Sequence, residues 1–153
     1  MNNFYQSELS MTVAHNYDGE CSVTVMVKSG SFQGRGRAWL DIDDVSAFVA
    51  STKMLAATSA GVASLRGGYL GKDDTPNFTV NLTLRPEGTR GHIFVSSELA
   101  SDPPNVSSAS LSVSRVSAAL IVEPAALERF ASQLSSIPKG AEVVATVPGE
   151  SAA

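Results

Sequence analysis

From Phe32 to Asp41 the chain alternates strictly. Phe32, Gly34, Gly36, Ala38 and Leu40 share one parity; Gln33, Arg35, Arg37, Trp39 and Asp41 share the other. A strand sends alternate side chains to opposite faces. The small, apolar set reads as a buried face and the long, mostly charged set as a wetter one. At Asp41 the period changes. Asp41 supplies an N-cap oxygen, and Asp44 falls at N3, where a carboxylate suits the helix dipole. Val45, Phe48, Val49 and Thr52 follow at helical spacing. The pattern predicts a strand running directly into a helix from about Ile42 to Thr58. Ala60 and Gly61 end that helix, with Gly61 as its left-handed C′ residue.

Two more alternating stretches precede this pair. Tyr5, Ser7, Leu9, Met11 and Val13 read as a first strand, and Cys21, Val23, Val25 and Val27 line one face of a second. The turns Asn16-Tyr17-Asp18-Gly19 and Ser29-Gly30-Ser31 join them into an antiparallel meander. Downstream, Val62 to Leu70 reads as a fourth strand, with Gly67-Gly68 marking a bulge or a close backbone approach. Phe78, Val80, Leu82 and Leu84 alternate with Thr79, Asn81 and Thr83, and His92 to Leu99 reads as the return strand. In the β-rich run from Ser108 to Val122, Leu111 and Val113 disagree in parity with Val116, Leu120 and Val122. A bulge near Ser114–Ser117 would reconcile them. Pro124 then opens a second helix at N1, with Val122 and Leu127 as a hydrophobic staple. Leu127, Phe130, Ala131 and Leu134 form its apolar stripe. Glu142 to Val147 reads as a short edge strand.

The expected architecture is α+β: a single twisted, mainly antiparallel sheet of about seven or eight strands with two helices packed on one face. One domain over residues 1–148 and a fraying tail over 149–153 are expected. The expected core includes Val25, Leu40, Phe48, Phe78, Leu82, Leu120 and Phe130.

Composition narrows the function classes. The 153 residues are 43% hydrophobic and 17% charged, which is globular rather than disordered. A formal net charge of −4 argues against a nucleic-acid partner. The start, M-N-N-F-Y-Q-S-E, has neither a basic n-region nor an apolar h-region, so no signal peptide is expected. No apolar run approaches the roughly 20 residues of a membrane span. A soluble cytoplasmic protein without a membrane partner is the expectation.

The chemistry-bearing residues are sparse. Cys21, the single cysteine, shares the parity of Val23 and Val25 and reads as a small core hydrophobe. With His15 and His92 it falls short of a zinc ligand set, and no G-x-S-x-G elbow occurs. Gly30, Gly34 and Gly36 lie within a strand or its turn, so they read as packing or curvature glycines rather than a phosphate loop. Asp41, Asp43 and Asp44 read as a capped helix start. No catalytic, cofactor-binding or metal-binding residue is expected. One cluster has the composition of an interface: Arg35, Arg37 and Trp39, extended by Arg66 and Tyr69, with Arg90 further on. These residues are the expected partner-binding surface.

Four segments in order, F-Q-G-R-G-R-A-W-L-D-I-D-D-V-S-A-F, A-S-L-R-G-G-Y-L, L-R-P-E-G-T-R-G-H-I-F-V and A-A-L-I-V-E-P-A-A-L-E-R-F, resemble small bacterial, often actinobacterial, uncharacterised proteins that look like the WapI-type toxin-immunity family. The resemblance spans about Phe4 to Leu134 and rests on glycines, strand residues and helix starts. It implies a non-catalytic module that binds and neutralises a protein toxin, and it carries over no catalytic or cofactor residue. The alternatives are a small-molecule-binding or enzymatic domain, and a homodimer formed through a sheet edge or face.

Overall fold

The alternating stretches form eight strands and the two helical stretches form helices in the computed structural model, which describes residues 7–70, 76–88, 91–101 and 114–151. β1 (Ser7–His15), β2 (Glu20–Ser29) and β3 (Phe32–Asp41) make the expected meander. α1 (Ile42–Thr58) follows β3 without a gap. β4 (Ala63–Leu70), β5 (Pro76–Glu87), β6 (His92–Ala100) and β7 (Arg115–Val122) come next, then α2 (Pro124–Gln133) and β8 (Glu142–Ser151). One sheet contains all eight strands in the order β3-β2-β1-β8-β7-β6-β5-β4, and every pairing is antiparallel. The architecture is α+β, as the alternation predicts. Tyr5, Asp73, Asp74, Arg90, Asp102, Leu111 and Val113 lie outside the described residues, and so does the side chain of Tyr69.

The sheet is bent at one joint. β8 pairs with β1 continuously from Ser7↔Gly149 to Ala14↔Glu142, but it meets β7 only at Leu120↔Ser151 and Ile121↔Glu150. Gly149 stands at this corner, where a Cβ would come within 2.8 Å of the Ile121 carbonyl oxygen. Two four-stranded halves result, β3-β2-β1-β8 and β7-β6-β5-β4. β3 touches all four strands of the second half. A strand that reaches four antiparallel neighbours in another layer must run across them, so the halves pack crosswise. Glycine permits the crossing. A Cβ on Gly36 would collide with the Thr79 carbonyl oxygen, and one on Gly67 would lie 2.6 Å from the Ala38 Cβ.

The helices close the same interior. Val45, Phe48, Val49, Thr52 and Leu55 of α1 are buried, as are Ala126, Leu127, Phe130 and Ala131 of α2. Their apolar members belong to one core cluster with Leu9, Met11, Val13, Val23, Val25 and Val27. Val25, Leu40, Phe48, Leu82, Leu120 and Phe130 are buried as expected.

Several expectations are corrected. Phe78 is 37% exposed. The Gly67/Gly68 irregularity shifts the β4–β5 register, pairing Gly67 with Val80 and Gly68 with Phe78. Thr79 is thereby turned inward beside Val80, and Phe78 is sent out. Phe32 is exposed because it begins β3 outside the crossing point at Gly34 and Gly36. Ser59, not Gly61, takes the left-handed cap of α1, and its N–H reaches the Leu55 carbonyl. β6–β7 pairing runs unbroken from Ala100↔Arg115 to Ile93↔Val122, so no bulge interrupts Arg115–Ser117. β8 is central rather than an edge strand. Gly149, Glu150 and Ser151 belong to it rather than to a tail, because β1 and β7 both pair with that end.

Candidate protein-docking surface

Both helices pack with the buried core, so among the described residues no helix covers the outer face of the β3-β2-β1-β8 half. Its side chains follow from the register. Trp39 is opposite Ser22, which is opposite Ala14 and then Glu142. Arg37 leads to Thr24, Thr12 and Val144; Arg35 leads to Met26, Ser10 and Thr146. Short hydroxyl side chains therefore separate a few large ones. Trp39 is 51% exposed, Met26 46% and Val144 57%. The Arg37 guanidinium lies 5.7 Å from the Trp39 ring centroid, in cation–π range. Three of the expected binding residues, Arg35, Arg37 and Trp39, thus share one face.

The two ends of this face differ in charge. At the Trp39 end, Asp18, Glu20 and Asp41 line a cleft of about 300 Å³ with Trp39. Glu20 and Asp41 are cross-strand neighbours, and Asp18 Oδ1 accepts the Glu20 backbone N–H at 3.0 Å. At the other end, Arg35 and Arg37 line a cleft of about 490 Å³ with Thr24, Gly36, Ala100 and Ser101. The surface is bipolar, with the tryptophan between the poles.

Arg66 is placed elsewhere. It is exposed, its guanidinium lies 5.9 Å from the Phe78 ring, and it lines a cleft between β4 and α1 beside Asp44 and Ser51. Tyr69 is opposite Asn77 in β4–β5. The acidic helix start is built as expected: Asp41 Oδ1 accepts the Asp43 N–H at 3.0 Å, with Asp43 and Asp44 in the first turn. Met26 and Val144 are not among the expected binding residues. Met26 was legible in the sequence, because its parity is opposite to that of Val23, Val25 and Val27.

Cys21 and His15 face each other across β1–β2, and both are buried. Burial raises the Cys21 thiol above its ordinary range, and the Asp41, Asp18 and Glu20 carboxylates add to the shift. His15 Nδ1 is 2.7 Å from the Ile137 carbonyl oxygen. A carbonyl only accepts, so Nδ1 carries the proton and donates. Nε2 is thereby the acceptor nitrogen, buried and without a hydrogen-bond partner, beside a thiol that burial holds in its neutral form. His92 Nε2 lies 3.1 Å from Glu123 Oε1 at the surface. Among the described residues, no three Cys, His, Asp or Glu side chains are grouped to hold a metal. Among the described residues, no helix is long and apolar enough to cross a membrane. No protein-family model, curated protein or solved structure matches the chain.

Proposed function

We propose that this chain is a non-catalytic protein-binding module that docks its partner on the outer face of β3, and that the partner is a bacterial protein toxin. The observation that carries the docking reading is Trp39: an indole half exposed on a sheet face that no described helix covers, with the Arg37 guanidinium beside it. Exposed tryptophan leaves apolar area in water that a partner can remove. Trp and Arg are the residues most enriched among interface hot spots. The charge poles add orientation, since a partner must present basic groups toward Asp18, Glu20 and Asp41 and acidic groups toward Arg35 and Arg37. The resemblance to the WapI-type immunity family supports a toxin as the occupant. The function is exercised in the cytoplasm, where a toxin delivered into the cell would act.

Co-expression with toxins encoded beside this gene tests the proposal. Growth rescue and co-purification of a stoichiometric complex are expected. Trp39→Ala and Arg37→Ala should each weaken that complex by about 2 kcal/mol or more while the melting temperature stays close to the parent's. Undiminished affinity in both variants would remove the binding site from this face. Native mass separates the self-association reading: a dimer abolished by Trp39→Ala would make the same face a homodimer interface.

A further inference from the structure

The end of the β1–β2 hairpin holds two donor atoms on one buried face. His15 ends β1, Cys21 is the second residue of β2, and the two are cross-strand partners beside the turn at 16–19. Both belong to the buried parity of their strands: His15 is 7% exposed and Cys21 0%. Directly opposed residues on one face of an antiparallel pair have Cβ atoms about 4.5–5.5 Å apart. The imidazole is fixed from its far side. Nδ1 donates to the Ile137 carbonyl oxygen at 2.7 Å, and the His15 backbone is held by Gly140 and Ala141. Nε2 keeps its lone pair, buried and without a hydrogen-bond partner.

Buried acceptors are rarely left in that state. An imidazole that donates one N–H to a backbone carbonyl and keeps the other nitrogen unprotonated is in the form that ligates metals. Cys21 adds a soft sulfur donor. Two donors do not satisfy zinc, which takes four ligands. Thiolate and imidazole together suit Cu(I), a d10 ion that accepts two ligands in a line. Bonds of about 2.0–2.3 Å to nitrogen and sulfur let one ion bridge donors about 4 Å apart. Charge selects the valence. A thiolate with a monovalent cation is neutral, whereas a divalent ion would leave a net positive charge in the core. Asp18, Glu20 and Asp41 line the cleft of about 300 Å³ that reaches Leu40, the β3 partner of Cys21. Carboxylates at that entrance concentrate a cation beside the pair.

We infer that Cys21 Sγ and His15 Nε2 form a two-coordinate site for a soft monovalent cation of the Cu(I) class. Binding forms the Sγ–metal and Nε2–metal bonds and breaks the Sγ–H bond. The proton leaves to solvent, and no electron is transferred. The site lies in the core and does not draw on the Arg37–Trp39 contact that carries the docking reading.

Cu(I) is the probe, titrated without oxygen into the full-length protein against a chromophoric Cu(I) chelator. Expected are one ion per chain, one proton released per ion at neutral pH, and amide shifts centred on His15, Cys21 and Ile137. An equal concentration of Zn(II) should not displace the ion. Cys21→Ala should abolish competition with the chelator. His15→Asn keeps an N–H donor for the Ile137 carbonyl and deletes Nε2, and it should weaken binding about a hundredfold or more. His92→Ala should leave binding unchanged. Amide spectra report whether each variant is folded. X-ray absorption on the loaded parent reads the ligands without any substitution and should find one sulfur and one nitrogen. Failure of the folded parent to compete would overturn the inference, as would undiminished affinity in folded Cys21→Ala or His15→Asn. A metal shell lacking either sulfur or nitrogen would overturn it as well.

Discussion

Glycine at position 36 illustrates how a single atom decides this fold. Its absent Cβ is what lets β3 cross the Thr79 carbonyl. Gly36→Ala should cost about 1–3 kcal/mol by overpacking against backbone that cannot step aside, read as a lower denaturation midpoint. Phe48 gives the opposite error, a void: it is 2% exposed, and Phe48→Ala should cost about 3–5 kcal/mol. Chemical denaturation that superimposes on the parent's would contradict that placement. Cys21 makes a pH prediction. Its thiol is held above the ordinary value of 9.0, chiefly by burial. Once the pH passes that value, the unfolded chain releases a proton that the native chain keeps. The native state then binds more protons, so its contribution to stability is full below pH 9.0 and declines as pH rises toward the folded value. Cys21→Ala should flatten this part of the alkaline stability profile, and an identical slope in both proteins would refute the assignment. Residue parity made Cys21, Val25 and Leu40 legible from sequence. It failed at Phe78 because Gly67-Gly68 displaces the register of the neighbouring strand, and no local pattern in β5 records that displacement.

At the scale of elements, local chemistry was read well and long-range pairing was not. α1 has the expected span Ile42–Thr58, with Asp41 accepting the Asp43 N–H at its start, although Ser59 rather than Gly61 takes the left-handed cap at its end. Asp41→Ala should cost about 0.5–2 kcal/mol, measured as a loss of melting temperature. Asp41→Asn should recover most of it, because an amide oxygen still caps. β8 shows the limit. Its sequence, with Pro148 and Gly149 near the end, has the look of an edge strand dissolving into a tail. Its central position comes from partners more than 100 residues away in β1 and about 30 away in β7. Such pairings are set by burial of the whole sheet and leave no mark on the strand itself. The same holds for the candidate surface. Arg35, Arg37 and Trp39 lie on one strand, so alternation alone put them on one face. Arg66 is on a strand of the other half, and only the bend at β7–β8 decides which cleft it enters.

For the molecule as a whole, bending one sheet into crossed halves produces an inside that takes both helices and an outer face that, among the described residues, no helix covers. That face carries separated charges on a chain whose net charge is negative. Association with a partner of complementary pattern should therefore slow as salt is added, while dissociation changes less. The central claim is that the Trp39 side of β3 is open in the free protein and covered in the complex. Trp39 is the only tryptophan, so its fluorescence reports this face alone when the bound toxin contains none. In the free protein the emission should be that of a solvent-exposed indole, readily quenched by acrylamide. At a saturating concentration of the proposed toxin partner it should shift to shorter wavelength and resist quenching. An indole already shielded in the free protein, or one still fully quenchable in the saturated complex, would contradict the account.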